Sequence, residues 1–544
     1  MITKEDWIQF FPYQTCRDAQ ETAINTILNS FLIENKRFFV LEAAVGIGKS
    51  AIGYTLARYM SHVLNNNNDE FKHGAYFLTT QKLLQEQYIR DFGDDNGTMR
   101  QIMSATNYTC KHHKKQSCAE SMQQLKTETD TSSRFYKTCK FNCTYKNEKI
   151  RFLASQESLT NFSYFLTGAS YTDSIPPRTL LVIDEAHNAD GELCKFVEIS
   201  VSERFASSAL KLEMPELNTQ LQAYNWIKDT YVPHLKVHVA HYEMMIEKFN
   251  LKDKIESDFI KIAKQLDMLQ KHASKLEQFL SLYDEDNWVF NLNEGEGKTQ
   301  RKLEFKPIDI SPYAEQMLFK GGKYVLMMSA TVINSSGFCK MLGVSDEMVA
   351  FSSIPSPFPV ENHPIFAYPV DKMSASTIDA DLPKLIEAIK AILEQHKDVK
   401  GIIHTHSYKT MEYIKKNLRN KRLIFHGSDD RIQKLEQHMK SKEPTVIVSP
   451  SMQEGVDLKD DLSRFQIICK VPYPYLGDKI VKKRMNRWNW WYAFETAKTI
   501  VQSLGRSIRT EKDYATSYIL DADWQRFYNN NSHMFSDSFK KSIQ

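Results

Sequence analysis

At 544 residues the chain exceeds what one hydrophobic core usually serves, so two to four domains are expected. Hydrophobic residues make up 42% and charged residues 25%, an ordinary globular balance, and no apolar run approaches the roughly 18 residues of a membrane span. A net charge of +3 is too small to announce a nucleic-acid binder, so that question passes to local charge.

In chain order, the opening "MITKEDWIQFFPYQ" carries acidic and polar residues where a signal peptide needs a basic start and an apolar run. It points to an intracellular protein, cytoplasmic or nucleoid-associated, whose cysteines stay reduced. The string "FPYQTCRDAQ" follows, with Arg17 and Gln20. Next, "RFFVLEAAVGIGKSAIGYTLARYM" reads as a short strand, a glycine-containing loop and an amphipathic helix, the setting a P-loop requires. Residues 43 to 50 spell "AAVGIGKS", a GxxxxGK[ST] pattern with Ala in the first glycine position. Gly46 and Gly48 let backbone N–H groups approach phosphates, Lys49 offers a point charge to the β/γ oxygens, and the Ser50 hydroxyl can ligate Mg²⁺. "NNNND" at 65 to 69 reads as a surface loop.

Between residues 100 and 150 ten Lys/Arg face four Asp/Glu. Four of the eight cysteines, Cys110, Cys118, Cys139 and Cys143, fall in this stretch, with seven, twenty and three residues between them. Four thiolates suit structural zinc or an iron–sulfur cluster, and only the last pair has the close spacing usual for zinc, so spacing alone leaves both open, with free cysteines as the remaining alternative. His112 and His113 are alternative ligands, although their Lys-rich run reads as facing solvent or DNA. Cys16, Cys194, Cys339 and Cys469 are isolated and read as small buried residues.

Downstream, "RTLLVIDEAHNAD" is an apolar strand ending in Asp184 and Glu185. Carboxylates at the C-terminal end of a parallel strand point into the crevice where α/β sheets bind ligands. Asp184 is placed to hold Mg²⁺, and Glu185 to orient or deprotonate an attacking water. His187 either satisfies a polar network or links the nucleotide site to moving parts. "DEAH" with this P-loop resembles the superfamily 2 helicases, and "FPYQTCRDAQ" is similar to the "FPYxxxRPxQ" opening of the XPD/DinG group within them. By that resemblance Arg17 and Gln20 contact the adenine end of ATP. Asp18, Ala44 and Val45 depart from the usual pattern, and none of them supplies phosphate chemistry.

A second insertion, about 204 to 299, holds no catalytic motif. Ile255, Phe259, Ile262, Leu266, Leu269, Ala273 and Leu276 recur at alternating steps of four and three, one stripe of a long helix or coiled hairpin. Later segments resemble helicase motifs in order. "YVLMMSATV" carries Ser329, Ala330 and Thr331 as coupling residues, "SPFP" at 356 to 359 precedes the second lobe, and "IIHTHSY" follows a strand. "VIVSPSMQEGVDL" puts Glu454, Gly455 and Asp457 at the lobe interface, and "TVIVSP" and "RFQIICKVPYP" read as buried parallel strands. "KIVKKRMNRWNWWYAF" mixes Lys479, Lys482, Lys483, Arg484 and Arg487 with aromatic residues, which suits phosphates and bases, or else a helix with a basic solvated face and an aromatic core face. "IVQSLGRSIRTEKDY" resembles QxxGRxxR, with Gln502, Gly505 and Arg506, and with Arg509 as the finger that reaches the transferring phosphoryl.

The resemblance implies an α/β protein of two RecA-like P-loop NTPase lobes, with an iron–sulfur domain and a helical Arch inserted in the first. The expected boundaries are 1–99, 151–203 and 300–360 for the first lobe, 100–150 for the iron–sulfur domain, 204–299 for the Arch and 361–544 for the second lobe. Cys110, Cys118, Cys139 and Cys143 become ligands of a [4Fe–4S] cluster. The implied activity is ATP- and Mg²⁺-dependent, 5′ to 3′ helicase action by a monomer on single-stranded and tailed duplex DNA, with RNA–DNA hybrid left open. The alternatives are an ATP-driven translocase or remodeller that does not unwind, and a nonenzymatic nucleic-acid scaffold.

Overall fold

A computed structural model describes the chain apart from residues 45, 65–69, 81, 94–96, 171–173, 249–255, 295–299, 357, 374–377, 428, 453–457, 459 and 506–512. The asparagine run at 65 to 69 and Ile255 therefore lie outside the described residues. In chain order the strands are β1 (Phe38–Ala43), β2 (Lys72–Thr79), β3 (Arg100–Gln101), β4 (Glu157–Asn161), β5 (Arg178–Asp184) and β6 (Ile199–Ser202). Next come β7 (Trp288–Asn293), β8 (Lys302–Pro307), β9 (Gly322–Ser329), β10 (Val349–Ile354) and β11 (Ile365–Asp371). The last are β12 (Gly401–His404), β13 (Leu423–Phe425), β14 (Val446–Ser449), β15 (Phe465–Ile468) and β16 (Thr516–Asp521).

Two parallel sheets organise the molecule, one ordered β10-β1-β9-β5-β2-β4-β3 and the other β11-β16-β15-β12-β14-β13. Both have the α/β character expected of RecA-like lobes. Strand β5 is buried throughout, as are β14 and β15, because helices cover both faces of a parallel sheet. Side-chain alternation then sorts the first lobe's core. Phe38, Val40, Leu181 and Ile183 point to one side, Phe39, Leu41, Leu180 and Val182 to the other. Each fully buried side chain of this kind contributes about 1.5–3 kcal/mol. Register aligns the strand ends that matter: Glu42 of β1 lies beside Ser329 of β9, and Asp184 of β5 beside Met328.

The cysteine-bearing stretch forms three short helices, Cys118–Thr127, Arg134–Phe141 and Thr144–Ala154. Ser117 and Glu120 cap the first of these reciprocally. Its apolar content is slight, with Phe135 at its centre beneath His112 and His113. The two histidines are thus half-buried against a ring rather than turned out to solvent. Lys111, Lys114, Lys115, Lys137 and Lys140 are exposed.

In the second insertion the predicted stripe is present. Helix Glu256–Leu282 buries Phe259, Leu266, Leu269, Ala273 and Leu276 against helix Val232–Glu247. The segment is not purely helical, since β7 joins β6 and β8 in a three-stranded antiparallel sheet. Nor does it have a core apart: Leu269, Leu276 and Phe279 share one apolar cluster with the first large sheet.

The basic-aromatic segment folds as two helices, Lys479–Arg487 and Trp491–Leu504. Trp491 and Phe494 enter the first lobe's core with Val332 and Phe338, so the aromatic residues form a core face rather than a surface for bases. Lys479, Lys482, Lys483 and Arg487 stay exposed, but Arg484 is buried. Of the isolated cysteines, Cys339 and Cys469 are buried as expected, while Cys16 and Cys194 are only half-buried.

Candidate nucleotide and coupling site

The P-loop runs from the end of β1 to the helix Lys49–Val63. Gly46 and Gly48 have φ of 86° and 87°, left-handed conformations that favour glycine. At Gly48 a Cβ would also stand 2.5 Å from Gln20 Nε2. Arg17 and Gln20 brace this loop directly. Arg17 Nη1 donates to the Gly46 carbonyl at 2.7 Å, and Gln20 Nε2 donates to the Ile47 carbonyl at 2.9 Å. Lys49 Nζ donates to the Ala43 carbonyl at 3.0 Å.

Asp184 closes β5 against the same loop. Its carboxylate accepts from the Tyr88 hydroxyl at 2.9 Å and from the Glu185 N–H at 2.9 Å. Burial first, then the Glu185 carboxylate, push it up to about 6, against the pull of Lys49 and Tyr88. Asp184 stands within the field of Lys49, whose chain neighbour is Ser50, and a carboxylate with a hydroxyl is a donor set of oxygens that fits Mg²⁺.

Glu185 sits at φ 52°, which turns its side chain out of the strand line beside His187. His187 Nδ1 lies 3.4 Å from Glu185 Oε2 and 2.8 Å from Ser329 Oγ. Ser329 Oγ in turn accepts from the Thr331 N–H at 2.9 Å. The chain from Glu185 through His187 and Ser329 to Thr331 is continuous, linking the end of β5 to the loop after β9. Glu42 holds that loop from below. Its carboxylate accepts from the N–H groups of Val332 and Ile333 at 2.8 and 3.1 Å, and Ile333 is held at φ 67°, costly for a β-branched residue.

The second large sheet supplies the facing wall. A cleft between the sheets is lined by Glu185, His187 and Thr331 on one side and by Gln502, Gly505 and Phe539 on the other. Gln502 is buried, and among the described residues its amide has no hydrogen-bond partner. Arg506, Arg509, Glu454, Gly455 and Asp457 lie outside the described residues. Nor does the sequence mark Tyr88, Glu42 or the ion pair at 3.0 Å between Arg484 and Asp190. A tyrosine in "LQEQYIRDF" looks like one more member of an apolar helical stripe, and nothing local marks the other two.

All four clustered cysteines are buried. Cys118 Sγ and Cys143 Sγ are 3.3 Å apart, and Cys110 Sγ accepts from the His113 N–H at 3.3 Å. Burial and the neighbouring sulfurs push Cys118 and Cys139 up to about 12. The donor chemistry suits a soft metal centre. Among the described residues no set of three or more His, Cys, Asp or Glu is arranged to hold a metal ion. No described helix is long and apolar enough to cross a membrane.

Comparisons with known proteins agree with this arrangement. The Helicase C-terminal domain family matches residues 389–542, and the family described as Type III restriction enzyme, res subunit, matches residues 14–214. The chain is 21% identical to a probable ATP-dependent helicase of Methanocaldococcus jannaschii, over 94% of this chain and 93% of that protein. It is 25% identical to the ATP-dependent DNA helicase DinG of Photobacterium profundum, over 40% of this chain and 34% of that one. Its fold is similar to that of a solved XPD helicase, with a TM-score of 0.63 across 96% of this chain and 98% of the other at 16% identity. A P-loop, a DEAH strand end and a facing wall from a second parallel sheet thus agree with relatives matched along the chain, which resembles the XPD/DinG-like superfamily 2 helicases and is an ATP-hydrolysing enzyme.

Proposed function

We propose that the protein moves 5′ to 3′ on single-stranded DNA as a monomer and parts tailed duplex, driven by ATP hydrolysis in the cleft between its two sheets. The observation that carries this reading is the unbroken contact path from Glu185 through His187 and Ser329 to Thr331, which ends on the cleft wall facing Gln502. It gives hydrolysis a route to the lobe interface.

In this reading Lys49 leaves the Ala43 carbonyl for the β/γ oxygens, and Gly46 and Gly48 present backbone N–H groups to the phosphates. Arg17 and Gln20 keep the loop in shape at the adenine end. Glu185 orients the attacking water and takes its proton, while Arg506 and Arg509 reach in from the second lobe with Gln502, Gly455 and Asp457 beside them. Ser50 and Asp184 would hold Mg²⁺, which when bound neutralises charge on the phosphate oxygens. Loss of the γ-phosphate relaxes the Glu185–His187–Ser329 path and lets the lobes part.

The domain limits are proposed as 100–150 for the cysteine module, 204–299 for the Arch and 361 for the start of the second lobe. β10 pairing with β1, and β11 pairing with β16, support the last of these. Cys110, Cys118, Cys139 and Cys143 are proposed to hold a [4Fe–4S] cluster, which when bound ties together three helices that have little core of their own. The exposed lysines of that module would face the strand.

Strand displacement by anaerobically purified protein tests the reading, with 5′-tailed, 3′-tailed and blunt duplex and with iron, sulfide and zinc measured on the same sample. Release from the 5′-tailed duplex alone is expected. DNA-stimulated ATP hydrolysis without strand release would make the protein a translocase or remodeller. Colourless, zinc-containing and active protein would remove the cluster and leave the motor.

A further inference from the structure

We propose that Tyr88 is a positioning residue for the nucleotide's divalent cation, a role that rests on Ser50 and Asp184 being the groups that hold it. Tyr88 lies on helix Lys82–Phe92, which follows β2, and its side chain is fully buried. The ring is fixed by packing against Phe77 and Phe92, with centroids 5.8 and 5.9 Å away, so the hydroxyl has one place to be.

That place is against Asp184. The phenol donates its single proton to Asp184 Oδ2 at 2.9 Å. Asp184 is pinned from two sides, by Tyr88 on Oδ2 and by the Glu185 N–H on Oδ1. Hydrogen bonds of this kind to metal-ligating groups typically set affinity by about 10- to 100-fold.

The experiment compares wild-type protein with Tyr88→Phe, which keeps the ring and removes only the hydroxyl. Mn²⁺ binding to the protein with ADP is followed by electron paramagnetic resonance, and ADP binding in EDTA by a fluorescent analogue. Weaker Mn²⁺ binding by about tenfold, with ADP binding in EDTA within about twofold, is the expected result. Unchanged Mn²⁺ affinity overturns the proposal, as does tighter binding, which would make the phenol a competitor for the cation's place. Equal losses with and without metal also overturn it, since they would mean a packing role. If wild-type protein itself binds no Mn²⁺ with ADP, the assignment of Ser50 and Asp184 fails first, and the proposal with it.

Discussion

Arg484 and Asp190 form an ion pair at 3.0 Å that ties the helix Lys479–Arg487 to the helix immediately after the DEAH turn. Arg484 also donates to the Ile308 carbonyl at 2.8 Å and lies over the Trp491 ring. With both side chains largely buried, removing one partner strands the other's charge. Arg484→Ala should therefore lower the unfolding free energy by about 3 kcal/mol, measured by urea unfolding with tryptophan fluorescence. An Arg484→Met, Asp190→Leu double variant should recover most of that loss. A single variant as stable as wild type would show that the pair is not a structural tie.

Glu185 and His187 divide the work at the end of β5. Glu185→Gln keeps the size and loses the base, so hydrolysis should fall by about 10²- to 10⁴-fold while ATP affinity stays within a few-fold. Single-turnover hydrolysis and nucleotide binding on the same sample check this. Normal hydrolysis by the variant would take the role of base away from Glu185.

His187→Ala cuts the path at its 2.8 Å contact with Ser329 and leaves the P-loop contacts in place. Hydrolysis should continue while strand release per ATP drops. Measuring both on one tailed duplex tests the path, and equal losses in the two would count against it.

Cys110→Ser should reduce strand displacement more than basal ATP hydrolysis, because the cysteine module stands apart from the P-loop and carries exposed lysines. Iron and sulfide content read on the same preparations should fall together. A variant with intact strand displacement and no iron would separate the module from unwinding.

The second lobe should lose stability in mild acid. His438 is fully buried, with its Nε2 on the Leu462 carbonyl and its Nδ1 on the Thr445 hydroxyl. Burial first, with Lys400 adding to it and Leu462 opposing, pulls it down from 6.5 to about 4. A histidine whose folded value is depressed contributes fully above its unfolded value, and that contribution is lost as pH falls from 6.5 toward 4. Urea unfolding at pH 7 and pH 5 should differ by about 1–2 kcal/mol from this residue, and His438→Gln should shrink the difference.

Legibility in the sequence followed distance along the chain. The P-loop needs glycines, a lysine and a hydroxyl in eight adjacent positions, and the long insertion helix repeats its apolar stripe within one element, so both can be read locally. Arg484 could not be, because its partner is 294 residues away, and its neighbours are charged and exposed. The tryptophans beside it were ambiguous for the same reason: only the fold reveals that the surface they cover belongs to the other lobe. Tyr88 is hidden by chemistry rather than distance. Its ring obeys the helix's apolar pattern, and the hydroxyl that matters leaves no trace in that pattern.

The close seat of Trp490 on Gly337, where an added Cβ would come within 2.8 Å of the ring, has a mechanical consequence. The helix Trp491–Leu504 starts at this seat, with Trp491 and Phe494 in the first lobe's core, and ends beside the cleft at Gln502. A rigid tilt of this helix about its packed tryptophans would carry its far end along an arc. Eleven residues of helix give an arm of about 17 Å, so a tilt of about 10° carries Gln502 through roughly 3 Å. A displacement of that size is comparable to making or breaking one shell of contacts on a phosphate.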